Sequence, residues 1–446
     1  MGVVSTGHDG AAKPSSFKSL DIELLDAAPV DRKVERDSPR SRRAGRRRFL
    51  CAVVLGASAA AAYIFVMSQW KGIAVHNMLG IDARAHSYAG LTMENLTRSI
   101  HWPGCGLEPW ADNCTLPCYS KEVPLQVADF TGRFPGKLVS YPSRPHPDID
   151  TVELRGWYLP ARADRVPEGR RAPRVVLQHG FRENSNYWRY VLLAYMLRQC
   201  GIDVLANNFR DHGYSDRSPG GRSEWGNAYP YDLLGAWDFA RAGAGGDAQV
   251  GLVGLSKGGF TALNAMGLEP RVPAAWVDGS MFSPELAWEY TATRFLQRRR
   301  VPQWLARWLV GRGSSDINAA AARHGMDLSR HTPETSLPQG PDTRRPLYVT
   351  HNREDALSPV EWNTHLMDVL QSIPEKYAVQ EGGPWLTDKK CHGNPHCTTH
   401  LSEFGEYLGR LCRFWRATFE MGTTECESVV EEATRRLPSP QAAAGV

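Results

Sequence analysis

The chain has 446 residues, 42% hydrophobic and 22% charged, which suits one large buried core with appendages and excludes a chain too polar to fold. Its formal charge is +4, from 52 Lys/Arg and 48 Asp/Glu. Residues 1–48 hold 11 of the basic and 7 of the acidic residues, leaving 41 of each for the rest, so the basic excess lies in the N-terminal tail and nothing marks the main body as a nucleic-acid binder.

The chain opens Met1-Gly2-Val3-Val4-Ser5-Thr6, which fits the short N-myristoylation pattern at Gly2, although an unmodified tail is the plainer expectation. The tail ends in Arg46-Arg47-Arg48, and residues 49–67 then run without a charge. At ~1.5 Å per residue such a run nearly spans a ~30 Å hydrocarbon core. It reads as one transmembrane signal anchor, with residues 1–48 a disordered cytosolic tail and the C-terminal mass lumenal or extracellular. A cleaved signal peptide ending near Ala57-Ser58-Ala59 is disfavoured by the length of that leader. Residues 68–130 read as a glycosylated juxtamembrane segment, with sequons at Asn95 and Asn113 and cysteines at 105, 114 and 118. Eight of the nine cysteines lie beyond the span, an even number that suits disulfides in an oxidising compartment. The expectation is a single-pass glycoprotein of the secretory pathway.

From about residue 131 strands and helices alternate. Val139–Tyr141 and Val152–Leu159 suit an antiparallel pair, and Val175-Val176-Leu177 leads into His179-Gly180. A helical YVLLAYMLRQC is followed by the strand IDVLANNF and the helix DLLGAWDFA. Residues 249–260, QVGLVGLSKGGF, join a short buried strand to a helix through Gly254-Leu255-Ser256-Lys257-Gly258. A GxSxG at such a junction forces the serine into a tight turn and exposes it as a nucleophile. Later apolar strands fall at Ala274–Val277, Leu347–Thr350 and Tyr377–Val379. The alternation predicts an α/β fold: a mostly parallel sheet with helices on both faces. Residues 285–340, rich in Trp, Arg and Ala, read as a helical cap inserted in a domain of residues 131–446.

Over about residues 131–420 the pattern resembles the α/β-hydrolase superfamily, with its eight-stranded type of sheet. The resemblance rests on Gln178-His179-Gly180-Phe181 after the third strand, Asn208 to Asp216 after the fourth, the Ser256 elbow, and a later Asp followed by His. The second signature departs from the family's DxRGHGxSD in having Asn208 for Asp and Asp211 for Gly. The resemblance implies Ser256 as nucleophile and Asp355, in the loop after an apolar strand, as the acid; Glu354 is its neighbour, and Asp278 is another position for the acid. The base lies in KCHGNPHCTTHLSEF, where His396 fits best and His392 and His400 are alternatives. A Cys391–Cys397 disulfide pinning His396 is expected over a metal site. The oxyanion donors implied are the backbone N–H groups of Phe181 and Lys257, with the Lys257 side chain on the helix surface.

The activity implied is hydrolysis of an ester, thioester or amide through an acyl-enzyme, with no cofactor. An anchored chain with an apolar cap suggests a lipid-like acyl substrate, though Trp288, Trp304 and Trp308 are more simply packing residues. A non-catalytic hydrolase fold serving as a lumenal binding or scaffold module is the alternative.

Overall fold

Short runs of Val, Leu and Ala between helices form strands here because both faces of the sheet are covered, so an unbroken apolar segment is the stable choice. A computed structural model describes residues 39–81, 136–218, 220–243, 249–388 and 395–435. It divides into two compact units, residues 1–64 and 65–446.

Helix α1 (Pro39–Leu79) includes a stretch long and apolar enough to cross a membrane. Phe49, Leu50, Leu55, Ile64 and Phe65 are exposed along it. From Trp70 onward the helix is part of the second unit, with Trp70, Ala74, Met78 and Leu79 buried. The first residues of the juxtamembrane segment expected from residue 68 are thus helical, with Trp70 and Leu79 packed.

The second unit is built on one nine-stranded sheet. Strands β1 (Lys137–Pro142) and β2 (Glu153–Leu159) form an antiparallel hairpin that joins the sheet edge. Then come β3 (Arg174–Gln178), α2 (Trp188–Gln199), β4 (Asp203–Asn207), α3 (Trp225–Ala242), β5 (Val250–Leu255), α4 (Lys257–Leu268) and β6 (Ala275–Asp278). Two cap helices follow, α5 (Pro284–Arg298), started by Ser283 accepting from Leu286 N with Pro284 in the first turn, and α6 (Gln303–Ala322). The short α7 (Pro333–Ser336) precedes β7 (Arg345–Asn352), α8 (Glu361–Ser372), β8 (Tyr377–Val379) and β9 (Trp385–Thr387). The chain closes with α9 (Thr399–Ser402), α10 (Phe404–Thr418) and α11 (Cys426–Arg435).

Strand order is β1-β2-β4-β3-β5-β6-β7-β8, with β9 also paired to β7. β2 joins β4 antiparallel, and every pairing from β4 onward is parallel. The sheet thus has one strand more than expected: β9 lies in Trp385–Thr387, whose three residues are too few to show a period. Its two faces carry separate cores, one with α3, α4, α8 and the cap, the other with α2, α10 and α11. β3, β5, β6 and β7 are central, so their C-terminal ends converge on one edge, where ligands of open α/β sheets bind.

Candidate active site

Ser256 stands between β5 and α4 with φ 56° and ψ −121°, a conformation few L-residues adopt. It is held there by its own backbone: Ser256 N donates to Asp278 O at 2.9 Å, and Met281 N and Phe260 N donate to Ser256 O at 3.3 and 3.1 Å. Glycine is needed on both sides, because a Cβ at Gly254 would fall 2.2 Å from Gly258 O and one at Gly258 2.4 Å from Gln178 O. The elbow therefore presses its helix against the end of β3, where His179 and Gly180 follow. A Cβ on Gly180 would meet Ser256 Cβ at 3.3 Å.

Asp355 leaves the loop after β7 and His396 the loop before α9, and the two meet with His396 Nδ1 2.7 Å from Asp355 Oδ2. Asp355 is fixed further, its Oδ1 accepting from Leu357 N at 2.8 Å and Ser358 N at 3.0 Å. His351, which donates through Nε2 to Ser358 O, lies 3.7 Å from the other carboxylate oxygen. Burial opposes the charge on both partners, but attraction to the other prevails: the imidazole is raised above its usual range and the carboxyl lowered. Among the described residues no hydrogen bond joins Ser256 Oγ to His396 Nε2; that nitrogen lies 3.7 Å from Cys397 Sγ.

The family model for the alpha/beta hydrolase fold matches residues 173–371. Over those residues the chain has the alpha/beta hydrolase fold. It is similar to dipeptidyl peptidase family member 6 of Caenorhabditis elegans, 32% identical over 107 residues, 23% of this chain and 14% of that protein. An esterase of Pyrococcus furiosus aligns over 64% of this chain and 91% of its own at 19% identity and TM-score 0.46. An acylaminoacyl peptidase of Pyrococcus horikoshii aligns over 65% and 44% at 15% identity and TM-score 0.42.

Several parts of the hydrolase site were not singled out from sequence. Gly180 N donates to the Tyr190 hydroxyl at 2.7 Å, that hydroxyl donates to Glu183, Glu183 pairs with Arg189 at 3.4 Å, and Arg189 reaches His396 O at 3.5 Å. A buried polar chain thus links the His-Gly loop to the histidine loop. Glu183, Arg189 and Tyr190 all lie just after HGF, but their roles depend on α2 folding back. His179 is neutral: Phe209 N donates to its Nε2, so Nδ1–H faces Gly180 O, and burial pushes it down to about 3. The departure at Asp211 is accommodated at φ 64°, its carboxylate accepting from Ser218 N and Oγ.

Three expectations are corrected. The Lys257 side chain is not on the helix surface: it is fully buried, with Nζ 4.4 to 5.8 Å from the ring centres of Tyr229, Phe181, Phe209 and Trp225 and, among the described residues, no hydrogen-bond partner. The first turn of α4 faces the aromatic end of α3, which a surface helix would not. Cys397 is a free buried thiol rather than a disulfide partner, turned inward to donate to Asp278 O at 3.2 Å; the disulfide described joins Cys412 to Cys426. His400 is not brought to Asp355 but packs on the Tyr407 ring, fully buried, and burial pushes it down to about 3. Gly2, Asn95, Asn113, Cys391 and His392 lie outside the described residues.

Burial holds the Lys257 amine well below its usual range, so the folded state favours its neutral form. A lysine lowered on folding takes stability away as pH falls from its unfolded value. Lys257→Met, which keeps the stem and removes the unbonded amine, is expected to raise stability by about 1–3 kcal/mol at pH 7. The gain should be larger at pH 6 than at pH 9. Denaturant melts of the two proteins at these pH values check both size and sign.

In the cap, Trp288 is buried and donates to Val310 O at 2.9 Å, whereas Trp304 and Trp308 are exposed. A cavity of about 600 Å³ lies between Tyr290 and Arg294 of α5, the Asp355 loop, and Trp362 and His365 of α8. Ser256 does not line it.

Proposed function

We propose that this hydrolase is a membrane-anchored serine enzyme that cleaves an ester, thioester or amide, with a lipid-like acyl group as the preferred substrate. The observation that carries the reading is the buried His396–Asp355 pair set in the same fold edge as a strained Ser256 elbow. Ser256 Oγ attacks the carbonyl carbon as His396 Nε2 takes its proton, and the oxygen's charge falls to the N–H groups of Phe181 and Lys257. The proton returns to the leaving group, and water then releases the acyl chain by the same steps. Asp355 keeps Nδ1 protonated, so that Nε2 is the nitrogen free to accept. For the proton to pass, Ser256 Oγ and Nε2 must close to hydrogen-bond reach when substrate is bound. The relative named a peptidase keeps an aminoacyl amide among the substrates to assay.

The apolar run in α1 supports the anchor, and the Cys412–Cys426 disulfide supports a lumenal or extracellular hydrolase domain. Domain limits of 1–48 for the tail, 49–67 for the span and 285–340 for the cap belong to the same proposal.

The test is labelling of the full-length protein by a fluorophosphonate probe. Labelling lost in Ser256→Ala supports the enzyme; a folded wild type that does not label favours the scaffold alternative. Among His392→Ala, His396→Ala and His400→Ala, only the second should abolish esterase activity. Because Asp355 raises His396 above 6.5, and the base works only unprotonated, kcat/KM should rise with pH through an apparent pKa higher than 6.5. A profile with p-nitrophenyl butyrate from pH 5 to 9 checks this; a midpoint below 6.5 contradicts it.

A further inference from the structure

A helix leaves its last four carbonyls without intrahelical partners. At the end of α1, Asn77 O, Met78 O and Leu79 O are met by the hydrolase domain, which also reaches His76 O, already bonded to Gly80 N, and Gly80 O just past the helix. Trp225 Nε1 donates to Met78 O at 2.8 Å, Ser223 N to Leu79 O at 2.8 Å, and Arg182 to Gly80 O at 3.2 Å and His76 O at 2.5 Å. About two turns upstream, Trp70 Nε1 donates to Leu309 O at 2.7 Å, and its ring lies 5.7 Å from that of Trp288. The segment is thus gripped at two places, the cap and the loops around Arg182 and Trp225.

Those loops flank one residue. Arg182 follows Phe181 in sequence, sits at φ 56°, and holds its guanidinium 4.9 Å from the Phe181 ring. Trp225 stacks on the same ring at 5.5 Å. Lys257, which offers the second backbone donor, places Nζ 4.9 Å from Phe181 and 5.8 Å from Trp225. Any shift of Trp225 or Arg182 is passed by direct contact to the residue whose N–H is to meet the oxyanion.

We propose that residues 70–80 are a positioning element of the active site: their C-terminal carbonyls clamp Arg182 and Trp225, and these set the Phe181 N–H. This rests on Ser256 being the nucleophile. It makes activity depend on the segment that immediately follows the apolar run, so a hydrolase domain released by cleavage after residue 81 and freed of the helix loses turnover. An oxyanion donor displaced by a fraction of its bond length forfeits part of the 10²–10³-fold that such a donor supplies.

The test uses full-length protein in detergent, p-nitrophenyl butyrate as substrate, and an alkyl trifluoromethyl ketone as the tetrahedral mimic. In forming the mimic, Ser256 Oγ adds to the ketone carbon, its proton passes to His396, and the new alkoxide sits where the oxyanion would. Trp225→Phe removes the donor to Met78 O and part of the buried indole, and keeps a six-membered ring to pack on Phe181. It is expected to lower kcat about tenfold with KM within twofold, and to weaken the ketone by the same factor. Ala74→Glu, which puts a carboxylate on the buried face of the segment, should lower kcat about 100-fold per fluorophosphonate-reactive molecule. Trp304→Ala, on the exposed cap, should leave both readouts unchanged.

The proposal is overturned if folded Trp225→Phe turns over within twofold of wild type, or if its kcat falls while ketone affinity does not. Where Ala74→Glu fails to fold, Trp225→Phe decides alone. Wild type that shows no Ser256-dependent labelling sinks the nucleophile assignment instead, so the two failures are distinguishable.

Discussion

Asp355→Asn is expected to lower kcat/KM toward p-nitrophenyl butyrate about 10⁴-fold, equivalent to roughly 5 kcal/mol of barrier. The carboxylate accepts from His396 Nδ1 at 2.7 Å and is locked by the N–H groups of Leu357 and Ser358. Those two donors hold the oxygen of an asparagine amide, which leaves its NH₂ facing Nδ1. The imidazole then carries its proton on Nε2, where the serine's proton must go. Asp278 is the control that separates the two positions weighed for the acid. It sits at the end of β6, near His396 by charge but not bonded to its ring, and Asp278→Asn should cost less than tenfold in rate. Its effect on stability is the opposite of a catalytic loss. Burial first, then the Asp355 charge, raises the Asp278 carboxyl from 3.8 to about 7. An acid raised on folding takes stability away as pH climbs through that interval, which amounts to at most about 4 kcal/mol once it is ionised. Asp278→Asn should therefore raise the melting temperature at pH 8 and change it little near pH 4. Equal rate losses in the two variants, or a larger one at Asp278, would reassign the acid.

Much of this was legible in the sequence, for reasons that differ by element. β3, β5, β6 and β7 announce themselves because strands buried on both faces must be apolar throughout. The elbow is legible because its two glycines answer a local steric demand, and chain order then nominates Asp355 and His396, which the fold brings within 2.7 Å of each other. What escaped depends on contacts distant in sequence. Lys257 looks like a surface lysine in any helical projection, and only the arrival of Phe181 and Phe209 from loops and of Trp225 and Tyr229 from α3 encloses it. Cys397 looked paired because Cys391 is near in sequence, yet its thiol turns to Asp278 O. The end of α1 is the largest case. Residues 70–80 follow an apolar run and read as the start of a juxtamembrane segment, since nothing local shows that Trp225 and Arg182, more than 100 residues away, complete that helix end.

Gly258→Val is expected to cost at least about 3 kcal/mol of stability and to reduce fluorophosphonate labelling of the folded fraction 100-fold or more. The first figure follows from the contacts that even the smallest added atom would make: 2.4 Å to Gln178 O and 2.6 Å to His179 O. These are backbone oxygens, Gln178 in the parallel ladder with β4 and β5 and His179 directly after it, so they cannot swing aside as a side chain would. Relief requires α4 to move off the sheet, which carries Ser256 and the Lys257 N–H away from Phe181. Gly259→Ala isolates the steric argument from the loss of glycine itself. Its Cβ would stand 3.0 Å from Ser280 Cβ and 3.2 Å from Gly254 O, contacts that a shift of a few tenths of an ångström relieves, so the cost should stay below about 1.5 kcal/mol. Gly311→Ala, in α6 with nothing within 4 Å, should instead stabilise by about 0.5–1 kcal/mol through helix propensity. Thermal melts and labelling rates of the three variants order them. If Gly258→Val folded and labelled like Gly259→Ala, the close approach of the elbow to β3 would not be what holds Ser256 in place.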